Sequence, residues 1–521
     1  MRSRNLTRGL LDDHLARGHE SSLALVEPAR SWTYGELARQ VERAAAALVE
    51  LGVGPGDRVA LMMHDTLELA AALLGVARIG AMAAPLSTLL RLSDLRAILH
   101  DARPSVVLVH ADLVTLLDEV CEELPSPPRL VVVSVANLPM GDFTDWALLL
   151  AQAKAPPELD DSDVPTLLLY SAGSSGPPKG VPHTAAEVKA AGAAFTRSVL
   201  ALTGDDRVFT ASRLFSAFGL GSALLFPLAA GASSYLLPSR IRPRNVFAAM
   251  AAFRPTVFFA APSLYAQLLH DHSAEAANPF SSVRATISGT EPLAAELWRR
   301  LHDTFDIEIL HGFGSTEALY FFLCARPGMI RPGSAGRPID GYQVRLVDEK
   351  GQPVGVEEIG LLEVCGPSVA RSYWRPPVAT SSGLRPVPTS RVFRDGGWLH
   401  TGDRFMVDAE GWYHHTGRAD DLFKVSGKWV VPSEVEATLL AHPAVWECAV
   451  IGGTDSNGLR IPVAYVVPNI GYPVDDRLGR ELMEFVKQEI APYKYPRRVE
   501  FVSELPKNDK GAVQRWRLRL P

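Results

Sequence analysis

From Leu23 to Leu86 the chain alternates short apolar runs with longer helical ones, and this rhythm limits the fold more than any other feature. In "SWTYGEL", Thr33 is followed three residues later by Glu36, the spacing of a capping box. Leu37, Val41, Ala44 and Leu48 then recur at helical spacing until Gly52 stops the helix. "DRVALMM" reads as a buried strand, "DTLELAAALLGVARIG" as a second helix closed by Gly80, and "AMAAPL" as another strand. "SVVLVH" and "RLVVVS" continue the series. A β-α-β order of this kind builds a parallel sheet with helices on its faces, so an α/β fold is expected.

A polar connector, "PPELDDSD" at 156–163, leads to the strand "TLLLY", and further α/β alternation runs to about residue 325. From Gly333 to about Asp408 the texture changes to short strands rich in glycine and proline. There "YQVRLVDEKGQPVGVEEIGLLEV" shows period-two alternation about a turn at "EKGQ", which predicts an antiparallel, barrel-like lobe. Beyond "GRADDLFKVSG" the pattern is mixed, with helices near 433–441 and 476–490. The final stretch of about a hundred residues reads as a small α+β domain.

At 521 residues two or more domains are expected. A net charge of −6 lacks the broad cationic field that a nucleic-acid backbone requires, which argues against nucleic acid as a partner. Cys121, Cys324, Cys365 and Cys448 are scattered without metal-binding or disulfide spacing, which suits a reducing cytoplasm. No apolar window is long enough to span a membrane, and the N-terminus lacks an export-type apolar core. The expectation is a soluble, cytoplasmic protein.

Immediately after "LLL" comes "YSAGSSGPPKGVPHT" (170–184), with three glycines, three serines and three prolines around Lys179. Glycine and serine let a backbone approach a ligand closely, and successive N–H groups form an anion nest that a lysine reinforces. The Walker A pattern is not met, because Gly180 follows Lys179 and Pro177-Pro178 block a helix start. On its own the loop reads equally as a surface connector.

Four further stretches give it a context: "GFGSTE" (312–317), "WLHTGD" (398–403), "GRADDLFKVSGKWVVPSEVE" (417–436) and "LPKNDKGAVQR" (505–515). With the glycine-rich loop, their order and spacing resemble the adenylate-forming superfamily of acyl-CoA synthetases, peptide-synthetase adenylation domains and luciferases. That resemblance implies a two-step ligase. A carboxylate attacks the α-phosphate of ATP, releasing pyrophosphate, and a thiol, usually that of CoA, then displaces AMP. It implies a large multi-lobed N-terminal domain, residues 1–419, with two parallel-type sheet lobes and the barrel-like lobe. A mobile C-terminal domain, 420–521, would turn about Asp420.

By the same resemblance Ser171, Gly173, Ser174, Ser175, Gly176 and Lys179 clasp the outer phosphates. Gly289, Thr290, Glu291 and Gly314 belong to the nucleotide site, and Phe313 stacks on adenine. Thr316 contacts the α-phosphate and Glu317 holds Mg²⁺. Asp403 accepts from the ribose hydroxyls, and Arg418 approaches the same sugar from the other side of the hinge. In the thioester-forming state Gly427 leaves room for the pantetheine tunnel, and Lys424 matches a lysine assigned to the second step.

The C-terminal motif of this superfamily runs Gly-Lys-x-x-Arg, its lysine bridging carboxylate and α-phosphate; here it reads Gly511-Ala512-Val513-Gln514-Arg515. The flanking residues allow no register shift, so Ala512 stands where the cation belongs. A substitution introduced to slow the first step is favoured over a naturally weakened enzyme or binding relative, because the other motifs are intact.

For the acid, "ASRLFSAFGLGSALLFPL" (211–228) places Phe215, Phe218 and Phe226 among Ala217, Gly219 and Gly221, which reads either as an apolar slot for a flat ring or as a glycine-interrupted core helix. The stretch is most similar to benzoate-CoA ligases, which implies an aryl carboxylate. Tyr320 stands where those ligases have histidine and Phe321 where a smaller aliphatic residue is usual, pointing to 2-aminobenzoate (anthranilate) or a hydroxybenzoate. Alternatives are transfer to a carrier-protein phosphopantetheine and a weakly catalytic aryl-adenylate binder.

Overall fold

The computed structural model describes residues 5–133, 143–154, 164–171, 178–271, 278–374, 392–418, 421, 423–425, 428–455, 459–469, 471–507 and 513–518, with backbone only at 270, 424, 429 and 516. Two large sheets carry the strands between Leu23 and Pro338. The seven-stranded sheet runs, edge to edge, Thr144–Asp145, Arg129–Val133, Val106–His110, Arg58–Met62, Met82–Pro85, Pro165–Ser171 and Lys179–Thr184. Every neighbouring pair is parallel except the last, where Pro165–Ser171 and Lys179–Thr184 run antiparallel around the glycine-rich loop.

The capping box at Thr33 is present with both of its hydrogen bonds, and the helix Tyr34–Glu50 ends before Gly52 at φ 85°. Its partner helix, Leu67–Arg78, approaches so closely that a Cβ on Gly75 would stand 2.8 Å from that of Ala44. Alanine and glycine therefore let two helical backbones nearly touch. The strand that opens the rhythm, Leu23–Val26, crosses over to the second sheet, where it pairs in parallel with Ser233–Tyr235.

That second sheet has nine strands, ordered Arg337–Pro338, Phe321–Cys324, Ile309–Gly314, Ala285–Ser288, Val257–Ala260, Arg207–Ala211, Ser233–Tyr235, Leu23–Val26 and Ser31–Thr33. Its middle is parallel and both edges are antiparallel. One continuous apolar core joins the facing helices of the two sheets, with Tyr34, Phe195, Phe226 and Phe322 buried in it.

The barrel-like lobe is a five-stranded antiparallel sheet built from Gln343–Val347, Ile359–Cys365, Trp398–Val407, Phe393–Arg394 and Tyr413–Arg418. The C-terminal hundred residues have a separate core around Val435, Leu439, Val450, Val466 and Leu482. The strands Val445–Thr454, Arg460–Pro468 and Arg498–Phe501 form their sheet, and the helices Pro432–Leu440 and Asp476–Glu489 pack on it. A hairpin of Phe423–Val425 and Lys428–Val430 leads into this unit.

Candidate functional site

A cleft lies between the sheet ends, the antiparallel lobe and the C-terminal unit. Strand ends and crossover turns collect side chains there without exposing the core, as parallel sheets commonly do at their carboxyl edge. Ser171 and Lys179, paired across the antiparallel strands, both line it. Gly173, Ser174, Ser175 and Gly176 lie outside the described residues. The Lys179 Nζ sits 5.1 Å from the ring centroid of Tyr373, and the Tyr373 hydroxyl donates to Glu317 Oε1 at 3.0 Å. Burial and the Glu317 charge hold the Tyr373 hydroxyl well above its usual pKa, so it remains a donor. One tyrosine thus spaces a cation from the glycine-rich loop and a carboxylate from "GFGSTE".

The "GFGSTE" turn is pinned through its backbone. Buried His183 Nε2–H donates to Thr316 O at 2.8 Å, Ala370 N donates to Glu317 O at 2.8 Å, and Ser315 Oγ caps the following turn through Ala318 N. Gly314 is required, because a Cβ there would stand 2.2 Å from Tyr320 O. Thr316 and Glu317 are thereby fixed toward the cleft they line. Glu317 is one of the carboxylates that line the cleft, and its side chain could offer an oxygen to a magnesium ion. Among the described residues no group of three or more His, Cys, Asp or Glu side chains is placed to hold a metal.

Asp403 is buried, and both of its oxygens are engaged. His415 Nε2 lies 3.1 Å from Oδ1, and Arg418 Nη1 donates to Oδ2 at 3.0 Å. Thr401 Oγ1 accepts from the Asp403 backbone N. Arg418 stands on the neighbouring strand, in register with Asp403, rather than across a hinge from it. Antiparallel pairing alone therefore brings the acid and the guanidinium together. Phe313 stacks on His415 at 5.6 Å and meets the edge of Phe405 at 4.8 Å.

Thr290 and Glu291, which follow Gly289, line the adjoining wall. Thr290 takes a left-handed φ of 73°, and Glu291 accepts from Ser263 N and Oγ at 3.1 and 3.3 Å. Burial pushes the Glu291 carboxyl upward while Lys507 of the C-terminal unit opposes the shift. Lys507 is itself paired with Glu447 at 2.6 Å, and both line the cleft.

Ala512 lies outside the described residues, but Val513 and Gln514 line the cleft and Arg515 is held by both oxygens of Glu436 at 2.8 Å. Asp420 and Gly427 also lie outside. Lys424 falls in the hairpin strand Phe423–Val425, where only its backbone is described.

The residues expected at the acid pocket divide between the cleft, which Gly314 lines, and the core behind it. Phe215 and Ser216 line the cleft, whereas Ala217, Phe218, Gly219, Tyr320 and Phe321 do not. The helical turns Ala217–Leu220, Gly221–Leu225 and Phe226–Ala230 are almost wholly buried, as a core helix is. Tyr320 packs among Phe195 (4.9 Å), Phe226 (4.6 Å) and Phe218 (6.1 Å). Two glycines explain the packing. A Cβ on Gly221 would meet the Tyr320 ring at 2.9 Å, and one on Gly219 would meet Arg213 O at 2.0 Å.

Three cleft residues, Tyr373, His415 and His311, carried no assignment in the sequence reading. His311 and His415 adjoin quoted motifs, in "HGFGSTE" and "HHTGR", while Tyr373 in "SYW" offers no local signal. Burial, reinforced by His415, pushes the His311 imidazole down to about 4. His110, whose Nδ1 accepts from His64 N at 2.7 Å, is also pushed down to about 4 by burial. Both folded values lie below the ordinary one, so the stability from keeping these rings neutral is full above pH 6.5 and lost as pH falls toward 4. The loss for each is about 2 kcal/mol by pH 5. Thermal melts at pH 7 and 5 are expected to show a smaller drop for His110→Asn than for the parent. Identical drops would remove His110 as a cause.

Residues 12–374 match the AMP-binding enzyme family and residues 434–512 its C-terminal domain. The chain is 36% identical to benzoate–CoA ligase of Thauera aromatica, over 99% of this chain and 95% of that protein. It is 34% identical to anthranilate–CoA ligase of Pseudomonas aeruginosa, over 89% and 87%. The crystal structure of the anthranilate CoA ligase AuaEII in complex with anthranoyl-AMP is similar at TM-score 0.91 and 35% identity, covering 99% of this chain and 96% of that one.

Proposed function

Since the chain belongs to the AMP-binding enzyme family and is an acid–thiol ligase, we propose that it is an AMP-forming aryl-CoA ligase acting on a benzoate-type acid, with 2-aminobenzoate or a hydroxybenzoate ahead of benzoate itself. The observation that carries this reading is the convergence of Lys179, Glu317 and Asp403 on one cleft that the C-terminal motif also reaches through Val513 and Gln514.

In the first step the acid's carboxylate oxygen attacks the α-phosphorus of ATP and the bond to the pyrophosphate oxygen breaks. Lys179, spaced by Tyr373, offsets charge on the departing phosphates, Thr316 orients the α-phosphate, and Asp403 holds the ribose diol. Gly173, Ser174, Ser175 and Gly176 complete the phosphate loop. Glu317 would hold Mg²⁺, which would supply charge neutralisation to the phosphates. In the second step the thiolate attacks the acyl carbon and AMP leaves. The C-terminal domain turns about Asp420, bringing Lys424 and Gly427 to the thiol's path. The domain boundary belongs at Asp420, in keeping with the separate core that begins at Phe423.

The test is aryl-CoA formation from ATP, Mg²⁺, CoA and a panel of substituted benzoates, with phosphopantetheinylated carrier protein competing as thiol. Exclusive use of the carrier thiol would replace CoA, and no product from any aryl acid would remove the aryl reading. The Tyr320 ring packs against Gly221 and Phe226 in the aromatic cluster behind the cleft. Tyr320→His is expected to shift preference toward unsubstituted benzoate by about 10-fold in kcat/KM. A parent protein that prefers benzoate clearly over its 2-amino and hydroxy derivatives would sink the substituted-acid reading.

Four reduced, scattered cysteines support a cytoplasmic site of action. Among the described residues no helix is long and apolar enough to cross a membrane.

A further inference from the structure

Alternate side chains of a strand share a face, so Lys179, Val181 and His183 of the strand Lys179–Thr184 point the same way. Each meets the layer formed by the "GFGSTE" turn and the segment 368–374. Lys179 Nζ stands 5.1 Å from the Tyr373 ring centroid, Val181 packs with Ala370 and Tyr373 in a small apolar cluster, and His183 Nε2–H donates to Thr316 O at 2.8 Å. The turn itself is held from outside at three consecutive carbonyls. Thr316 O accepts from His183, Glu317 O from Ala370 N at 2.8 Å, and Ala318 O from Ser368 Oγ at 2.7 Å. Two of these bonds come from the segment 368–370, and Trp374 N ties that segment back to Gly180 O at 2.8 Å. The third comes directly from the strand that begins with Lys179. His183 is fully buried and does not line the cleft. Its Nδ1 lies 3.5 Å from Glu187 Oε2, an oxygen fixed by Thr184 N at 2.8 Å in the capping box of the helix Ala185–Phe195. The ring is thus set between a helix start and the turn that carries Thr316 and Glu317.

We propose that His183 is a positioning residue that fixes Thr316 and Glu317 relative to Lys179, so that the α-phosphate and the outer phosphates of one nucleotide are gripped in register. This rests on the nucleotide-site reading above and adds to it a residue outside the cleft. Lys179 and His183 are four residues apart, about 13 Å along an extended strand, and the strand's ladder keeps that spacing constant. A peptide whose carbonyl is held cannot rotate, so the Thr316 side chain and the Glu317 backbone keep one orientation toward the lysine end of the strand. Without the imidazole, Thr316 O still accepts from Leu319 N at 3.0 Å inside the turn. The turn therefore persists but loses its direct reference to Lys179.

Affinities of two unreactive nucleotides test this without depending on position 512. The magnesium complex of α,β-methylene-ATP, which cannot be cleaved at the α-phosphate, spans both grips, whereas AMP reaches only Thr316. Both are titrated calorimetrically into the full chain, His183→Leu, His183→Gln, Lys179→Ala and the His183→Leu/Lys179→Ala double variant, with the melting temperature of each protein. His183→Leu is expected to weaken the ATP analogue by about 10-fold and AMP by about 3-fold or less. His183→Gln, whose amide nitrogen stands as many bonds from the backbone as Nε2, should restore the analogue to within about 3-fold of the parent. The fold-loss caused by Lys179→Ala should be at least about 3-fold smaller in the His183→Leu background, as it is for two residues acting on one ligand through a shared element. Unchanged affinities in His183→Leu, equal losses for the two nucleotides, or the same Lys179→Ala loss in both backgrounds would each overturn the positioning role. Loss of both ligands in the Leu and Gln variants together, with lowered melting temperatures, would overturn it too and make His183 a packing residue. A parent that melts cooperatively but binds neither nucleotide would instead overturn the nucleotide-site reading, and this inference with it.

Discussion

Ala512→Lys is expected to raise the rate of aryl-adenylate formation by about 10² to 10³, the value of restoring one preorganised donor worth about 2.7 to 4 kcal/mol at a charged transition state. In the family pattern the lysine of Gly-Lys-x-x-Arg bridges the attacking carboxylate and the α-phosphate, and here Gly511 and Arg515 bracket Ala512 in that frame. The frame is held in place. Arg515 is bound by Glu436, and a β-bridge pairs Lys507 with Val513, so Val513 and Gln514, which follow position 512 in the chain, reach the cleft wall. ATP–pyrophosphate exchange with 2-aminobenzoate reads the first step. Single-turnover thioester formation from supplied aryl-adenylate reads the second and should be unaltered, because that step does not use the cation. Equal exchange rates in the two proteins would refute the role assigned to this position. Restored exchange would also identify the present chain as a ligase slowed at one step rather than an adenylate-binding relative.

Legibility in the sequence followed the range of the forces involved. The helix Tyr34–Glu50 was readable because its capping box and apolar spacing are local, and both hold. The alternation of strands and helices announced parallel sheets, but not that Leu23–Val26 would leave its neighbours for the second sheet. Nothing within a strand states which edge it will join. The nucleotide residues were readable through motif resemblance because each sits on a turn whose backbone is locally pinned, as Thr316 and Glu317 are. Tyr373 escaped, since its value comes from standing between Lys179 and Glu317, which are 138 residues apart in the chain. The stretch expected to form the acid pocket was not decidable for a related reason. Glycines and phenylalanines in "FSAFGLGSALLF" are equally good at making a slot and at letting aromatic rings close one. Tyr320 and Phe321, approximately a hundred residues away, decide which occurs.

Asp403→Ala is expected to lower kcat/KM for ATP by about 10² or more, most of it as a raised KM. A ribose diol meeting a carboxylate makes two charge-assisted hydrogen bonds, each worth about 1.5 to 3 kcal/mol. The site adds a second penalty. Asp403 balances Arg418 and accepts from His415, so removing it leaves a cation facing the cleft beside a histidine without its acceptor. Asp403→Asn separates the two effects. It retains one carbonyl acceptor for the diol but turns an amide toward Arg418 or His415, so it should fall between parent and alanine. The resulting order, parent, asparagine, alanine, is what a sugar-binding carboxylate predicts for KM of ATP. A purely structural ion pair would instead lower the melting temperature of both variants while leaving KM for ATP within about 3-fold of the parent, a difference of under 1 kcal/mol in nucleotide binding. Measuring KM and melting temperature on the same preparations therefore decides whether the triad of Asp403, His415 and Arg418 binds nucleotide or only holds two strands together.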